Sequence, residues 1–137
     1  MQLSHTSQYA IRILSYIANQ KNEKLQHAKE LSETLSISYK FLTKIMTQLV
    51  KAEFIVSIRG REGGYKLARP ASDIMLLDIL NQFNELTQYN QCILGIGICD
   101  GIDKCSLHDQ WMQPKELMMK MFAETSLKNL NGEDFKI

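Results

Sequence analysis

Apolar positions recur at helical spacing from the start of the chain: Tyr9, Ile13, Tyr16 and Ile17 fall on one face of residues 4–19, with Ala10, Leu14 and Ala18 beside them. That period predicts an amphipathic helix. A second helix is expected from about Gln26, where Ala28, Leu31 and Leu35 repeat the pattern, and it should end at Ser36 and Ile37. Ser38 then stands where an N-cap belongs, and Phe41, Leu42, Ile45, Met46, Leu49 and Val50 form the buried stripe of a third helix. The opposite face of that helix carries Tyr39, Lys40, Thr43, Lys44 and Gln48.

From Phe54 the period changes. Residues 54–58 are rich in β-branched side chains, residues 59–64 hold three glycines, and residues 65–68 alternate toward Pro70, which together predict a β-hairpin. Ser72 is placed to cap a further helix over residues 73–84, in which Ile74, Leu77, Ile79 and Leu80 are apolar. A loop rich in Gly, Cys and Asp follows over residues 87–105. Ser106 with Asp109 three positions on has the form of a capping box. It opens a last helical region with Leu107, Trp111, Met118, Met121 and Phe122 along one side, which Pro114 should kink or divide, and residues 131–137 should fray. The expected fold class is mainly α with a small β-hairpin wing: a winged helix-turn-helix followed by a long C-terminal helix.

Composition narrows the class of protein further. A chain of 137 residues with 45% apolar side chains suits one domain with its own core and excludes low-complexity disorder. No window has the length and apolarity of a membrane span, and the amino terminus has no basic segment leading into an apolar run, so a cytoplasmic location with reduced thiols is expected. The formal net charge of +1 conceals an asymmetry. Residues 1–70 hold eleven basic against five acidic side chains, a net +6, whereas residues 71–137 hold five against ten, a net −5. A basic half of this kind is the footprint of nucleic-acid contact.

Two short helices followed by a Gly-tipped hairpin place that charge. With residues 41–50 buried by their apolar stripe, Ser38, Tyr39, Lys40, Thr43 and Lys44 lie at the free N-terminal end of a recognition helix, where side chains reach base edges and phosphates in the major groove. Arg59, Gly60 and Arg61 form the wing tip, whose guanidinium groups suit a narrow minor groove. An enzyme is not expected, because Cys105, His108 and Asp109 are the only reactive side chains in proximity and no substrate-pocket signature accompanies them.

The three cysteines, Cys92, Cys99 and Cys105, fall in the polar loop, and His108 follows. An odd number of thiols in such a loop argues against both a core role and a disulfide framework. Metal ligation is the leading explanation. The six- and five-residue gaps between the cysteines are wider than those of structural zinc sites, while soft thiolates bind iron-sulfur clusters, copper(I) or zinc. An unmetallated redox thiol site is the remaining possibility.

The segment Arg59-Gly60-Arg61-Glu62-Gly63-Gly64-Tyr65-Lys66-Leu67-Ala68-Arg69, the opening Met1-Gln2-Leu3-Ser4 and the later Cys105-Ser106-Leu107-His108 resemble the Rrf-two family of bacterial winged-helix transcription regulators, in its IscR- and NsrR-like branch. The resemblance covers almost the whole chain. It implies a homodimeric repressor of a double-stranded DNA operator, with no membrane and no small-molecule substrate as partner. It also implies an iron-sulfur cluster, [2Fe-2S] ahead of [4Fe-4S], held by Cys92, Cys99, Cys105 and His108 and sensing nitric oxide, redox or iron-sulfur status. A zinc-stabilised or apo winged-helix regulator using its cysteines as a thiol sensor is the alternative. The implied division is residues 1–84 for DNA binding, 85–105 for the cluster loop, 106–130 for dimerisation through Leu107, Trp111, Met118, Met121 and Phe122, and 131–137 as a tail.

Overall fold

A computed structural model describes residues 2–21 and 24–130; the predicted tail at 131–137 lies outside the described residues. The first helix, α1 (His5–Ala18), begins where Ser4 accepts a hydrogen bond from the Ser7 N–H, and it buries Ala10, Ile13, Leu14 and Ile17. After it, α2 (Ala28–Leu35) ends at Ser36, whose left-handed conformation (φ 54°) turns the chain at once toward α3 (Tyr39–Lys51). The Ser38 side chain accepts from the Phe41 N–H, the N-cap expected from the sequence, a contact worth about 1 kcal/mol. Leu42, Ile45, Met46 and Leu49 of α3 are buried against α1 and α2.

The hairpin comprises β1 (Ile55–Ile58) and β2 (Gly64–Leu67), antiparallel, with Ile55 opposite Leu67 and Ile58 opposite Gly64. A short bridge extends this sheet backward. Gln26 N–H donates to the Tyr65 carbonyl at 2.9 Å and Tyr65 N–H to the Gln26 carbonyl at 2.8 Å, tying the entrance of α2 to the wing.

Beyond the hairpin the predicted helix over residues 73–84 is corrected. Ala71–Asp73 forms a 3-10 turn, and α4 runs only from Leu76 to Gln82. The cause is a long-range pairing: Leu76 N–H donates to the Thr125 carbonyl and Leu127 N–H to the Ile74 carbonyl, both at 2.9 Å, which holds Ile74 and Met75 extended. Ser72 hydrogen-bonds the Asp73 carboxylate and caps no helix, and the Asp78 carboxylate accepts from the Met75 N–H. One turn of helix, α5 (Leu86–Tyr89), precedes the cysteine loop.

The last two helices are α6 (His108–Glu124) and α7 (Leu127–Leu130). α6 is continuous through Pro114, so the division expected there does not occur. The Ser106–Asp109 capping box is also absent; Leu107 is the N-cap residue, and the Asp109 carboxylate instead takes Lys104 Nζ at 3.0 Å. α6 packs on α4, and α7 folds back against α1 with Leu127 fully buried. No helix among the described residues is long and apolar enough to cross a membrane.

Candidate functional site

Two surfaces carry the chemistry, and the first is the basic half. At the N-terminus of α3, Ser38, Tyr39, Lys40 and Lys44 are exposed, while Thr43 is half-buried with its hydroxyl donating to the Lys40 carbonyl at 3.1 Å. Arg59, Gly60 and Arg61 are all exposed at the hairpin tip. Among the described residues, Lys40, Lys44, Arg59 and Arg61 take part in no ion pair, so these four cations face solvent uncompensated. Not every basic residue of this half is free in the same way. Arg12 donates to the Leu35 carbonyl at 2.9 Å and sits over the Tyr9 ring, whose edge meets Phe41, and Arg69 lies over the Phe54 ring. Those two arginines are engaged with their own domain.

The wing tip depends on two glycines. Gly60 adopts φ 122°, a region that favours glycine, and its carbonyl accepts from the Gly63 N–H at 3.1 Å to close the turn. A Cβ on Gly63 would lie 2.2 Å from the Ile58 carbonyl oxygen and 2.9 Å from that of Gly60. Gly63→Ala must therefore open the turn, and a loss of about 2 kcal/mol in urea unfolding is expected, together with weaker DNA binding. An unchanged midpoint would refute this account of the turn.

The second surface is the cysteine loop. It folds as a small hairpin in which Gln91 bridges Ile98, Cys92 N–H donates to the Gly97 carbonyl at 2.7 Å, and Cys99 N–H donates to the Asn90 carbonyl at 2.8 Å. Gly95, Gly97 and Gly101 supply the positive φ angles that such tight reversals need. All three thiols are free and half-buried. Cys99 Sγ lies 3.4 Å from Nδ1 of His108, a buried side chain at the start of α6. Cys92 and Cys105 line one shallow pocket with Ile96, Ile98 and Ile102.

The electrostatics tie the three thiols into one site. The Cys92 thiol is lowered from its ordinary value by hydrogen bonds from the Leu94 backbone and from Cys105. Cys105 is raised, first by donating to Cys92 and also by the charges of Cys92 and Cys99. Among the described residues no three His, Cys, Asp or Glu side chains converge on a single point as metal ligands; of the four donors, Cys99 and His108 are in contact. In chemistry the set fits a thiolate-ligated cluster: three soft sulfurs and an imidazole on one loop and the helix it enters.

The helix expected to meet a second subunit divides its apolar residues between two faces. Phe122 is 6% exposed, with its ring centroid 6.0 Å from that of Tyr89, so it belongs to the core of its own chain. Met118 also packs on that core, and Trp111 is half-buried with an indole N–H that meets no acceptor among the described residues. Leu107 and Met121 point outward, joined by Leu117, which is 62% exposed. Leu117 escaped the sequence reading, although its spacing of four from Met121 marks one helix face. The loop likewise presents Ile93, Leu94, Ile96, Ile98 and Ile102, the last 84% exposed, around the thiols. These apolar side chains in a glycine-rich polar loop were the signal for that patch.

Comparison with known proteins places both surfaces in context. Residues 3–133 match the profile of the Rrf2 family, described as an iron-dependent transcriptional regulator. The HTH-type transcriptional regulator NsrR of Oceanobacillus iheyensis is 31% identical over 138 residues, spanning 95% of this chain and 89% of that protein. Among solved structures, CymR, the global cysteine regulator of B. subtilis, superposes with a TM-score of 0.78 at 21% identity, covering 95% of each chain. IscR of T. potens superposes with a TM-score of 0.73 at 22% identity, covering 94% of this chain and 85% of that one. At such identities the structural likeness establishes the fold.

Proposed function

Because the chain belongs to the Rrf2 family of transcriptional regulators, we propose that it is a homodimeric DNA-binding repressor whose operator affinity is set by an iron-sulfur cluster, of the [2Fe-2S] type, at Cys92, Cys99, Cys105 and His108. The observation that carries this reading is the gathering of three thiols and a buried imidazole where the DNA-binding half joins α6. A bound cluster would supply a redox-active, nitric-oxide-reactive centre, with the histidine ligand raising its reduction potential.

The remaining steps belong to the chain itself. Ser38, Tyr39, Lys40, Thr43 and Lys44 enter the major groove, and Arg59, Gly60 and Arg61 enter the minor groove alongside. Leu107, Leu117 and Met121, with Trp111 and Met118 behind them, form the contact with the second subunit. The loop opens directly into α6, and Tyr89 at its entrance packs on Phe122 of that helix. A change in loop shape is thereby felt along α6, which sets the distance between the two recognition helices. A coupling of about 1.4 kcal/mol suffices for a tenfold change in operator affinity, well within ordinary allosteric couplings.

The test is operator affinity measured anaerobically on cluster-bound and cluster-free protein, beside iron and sulfide analysis. A difference of about tenfold or more is expected. Equal affinities would remove the switch, and a colourless protein with stoichiometric zinc would establish the zinc-stabilised alternative.

A further inference from the structure

Lys40, Thr43, Lys44 and Thr47 follow one another at i, i+3, i+4 and i+7 along α3, and so form a single stripe opposite the buried Leu42, Ile45, Met46 and Leu49. Both threonine hydroxyls of that stripe are turned back on the helix. Thr43 donates to the Lys40 carbonyl at 3.1 Å and Thr47 to the Thr43 carbonyl at 2.9 Å, so each hydroxyl proton is spent on the helix's own backbone. A threonine hydroxyl aimed outward would donate to a phosphate or to a base acceptor. Here the other substituent on Cβ, a methyl group, is what the side chain has left to offer. Thr47 is exposed and Thr43 half-buried, so both reach the surface of the stripe. α3 contains no Asp or Glu, so no carboxylate on this helix accepts from a cytosine amino group.

On the reading in which α3 enters the major groove, we infer that the methyl groups of Thr43 and Thr47 read thymine, each packing on a thymine 5-methyl. That methyl is the one apolar group a base pair presents in the major groove, and guanine, cytosine and adenine have no counterpart to it. The two threonines are four residues apart, about 6 Å along the helix axis, and successive base pairs are about 3.4 Å apart, so the two thymines lie about two base pairs from each other. Lys40 and Lys44, without ion pairs among the described residues, seat the stripe on the phosphates beside those bases. The charges thus supply affinity, and the methyl groups between them supply sequence preference.

The test uses the full chain, purified anaerobically, and a duplex selected on it from a randomised double-stranded library. Thymines of that duplex are replaced one at a time by deoxyuridine, which removes the 5-methyl and leaves every hydrogen-bonding edge in place. Two replacements, about two base pairs apart, should each weaken binding about fourfold, the worth of one buried methyl group. Thr43→Ser, which keeps the hydroxyl and lacks the methyl, should abolish the penalty at one of these positions, and Thr47→Ser should abolish it at the other. Thr43→Val, which lacks the hydroxyl and keeps a methyl, should retain the penalty. Deoxyuridine tolerated at every position, or a penalty that neither serine variant changes, would overturn the assignment. So would a penalty kept in Thr43→Ser and lost in Thr43→Val, which would put the hydroxyl on the base. Failure of the chain to bind any duplex sinks the DNA-binding reading and the thymine assignment together, whereas a duplex bound specifically and indifferent to deoxyuridine sinks the assignment alone.

Discussion

Replacing Arg59 and Arg61 together by alanine is expected to weaken operator binding about a hundredfold, equivalent to about 2.7 kcal/mol, with no change in the unfolding midpoint. Both side chains are exposed at the wing tip and take part in no ion pair among the described residues, so their removal takes nothing from the folded domain. Held on a closed turn, they would, on the proposed reading, reach a groove that the recognition helix does not enter. Each arginine that sits on phosphate also releases a counterion, so the slope of log affinity against log salt should become shallower by nearly 2. The two effects are separable by fluorescence anisotropy at several salt concentrations. Loss of affinity with an unchanged slope would place the arginines on bases alone, and unchanged affinity would remove the wing from the interface. Lys40→Ala, on α3 rather than on the wing, should add to the effect independently.

The contrast with Arg12 and Arg69 shows what local pattern conveys. All four arginines contribute equally to the +6 of the first half, yet two are bound to a carbonyl or a ring and two are free. Charge counting alone has no access to that difference. The three helices, the Ser38 cap and the hairpin were legible because they depend on residues within one or two turns of each other. What local pattern could not convey is the pairing of Ile74 and Met75 with residues 125–127, which shortens α4. For the same reason Phe122 reads as one more member of an α6 stripe, when its partner is Tyr89, thirty-three positions earlier. The cysteine loop was legible as a cluster of donors, and the approach of Cys99 to His108 was not. That approach depends on a hairpin whose glycines turn by positive φ, a property of backbone closure rather than of spacing.

Glu85 is a polar residue whose loss should cost the fold heavily, and in sequence it passes for a solvated helix charge. It is 4% exposed. Its carboxylate accepts from the Ser4 N–H at 2.9 Å, the Ser4 hydroxyl at 2.5 Å, the Ser7 hydroxyl at 2.6 Å and the Gln88 amide. It thereby fastens the N-terminus of α1 to the corner between α4 and α5, where the chain sets out for the cysteine loop. Glu85→Ala leaves those donors without an acceptor, and a loss of about 3 kcal/mol in urea unfolding at pH 7 is expected, with Glu85→Gln losing about half as much. Burial by itself would raise this carboxyl, but the hydroxyl, backbone and amide donors outweigh it and hold it below the ordinary 4.5. The folded state therefore binds the proton more weakly than the unfolded chain does. Its contribution is complete above the ordinary carboxylate value and is lost as pH falls through the lower folded one. The stability difference between wild type and Glu85→Gln should accordingly be constant from pH 7 to about pH 5.5 and narrow below that. A difference that stays constant down to pH 3 would mean that the carboxylate's charge is not what holds the two segments together. Because the same clamp positions the loop entrance relative to α1, Glu85→Gln should also reduce the operator-affinity difference between cluster-bound and cluster-free protein more than it reduces either affinity.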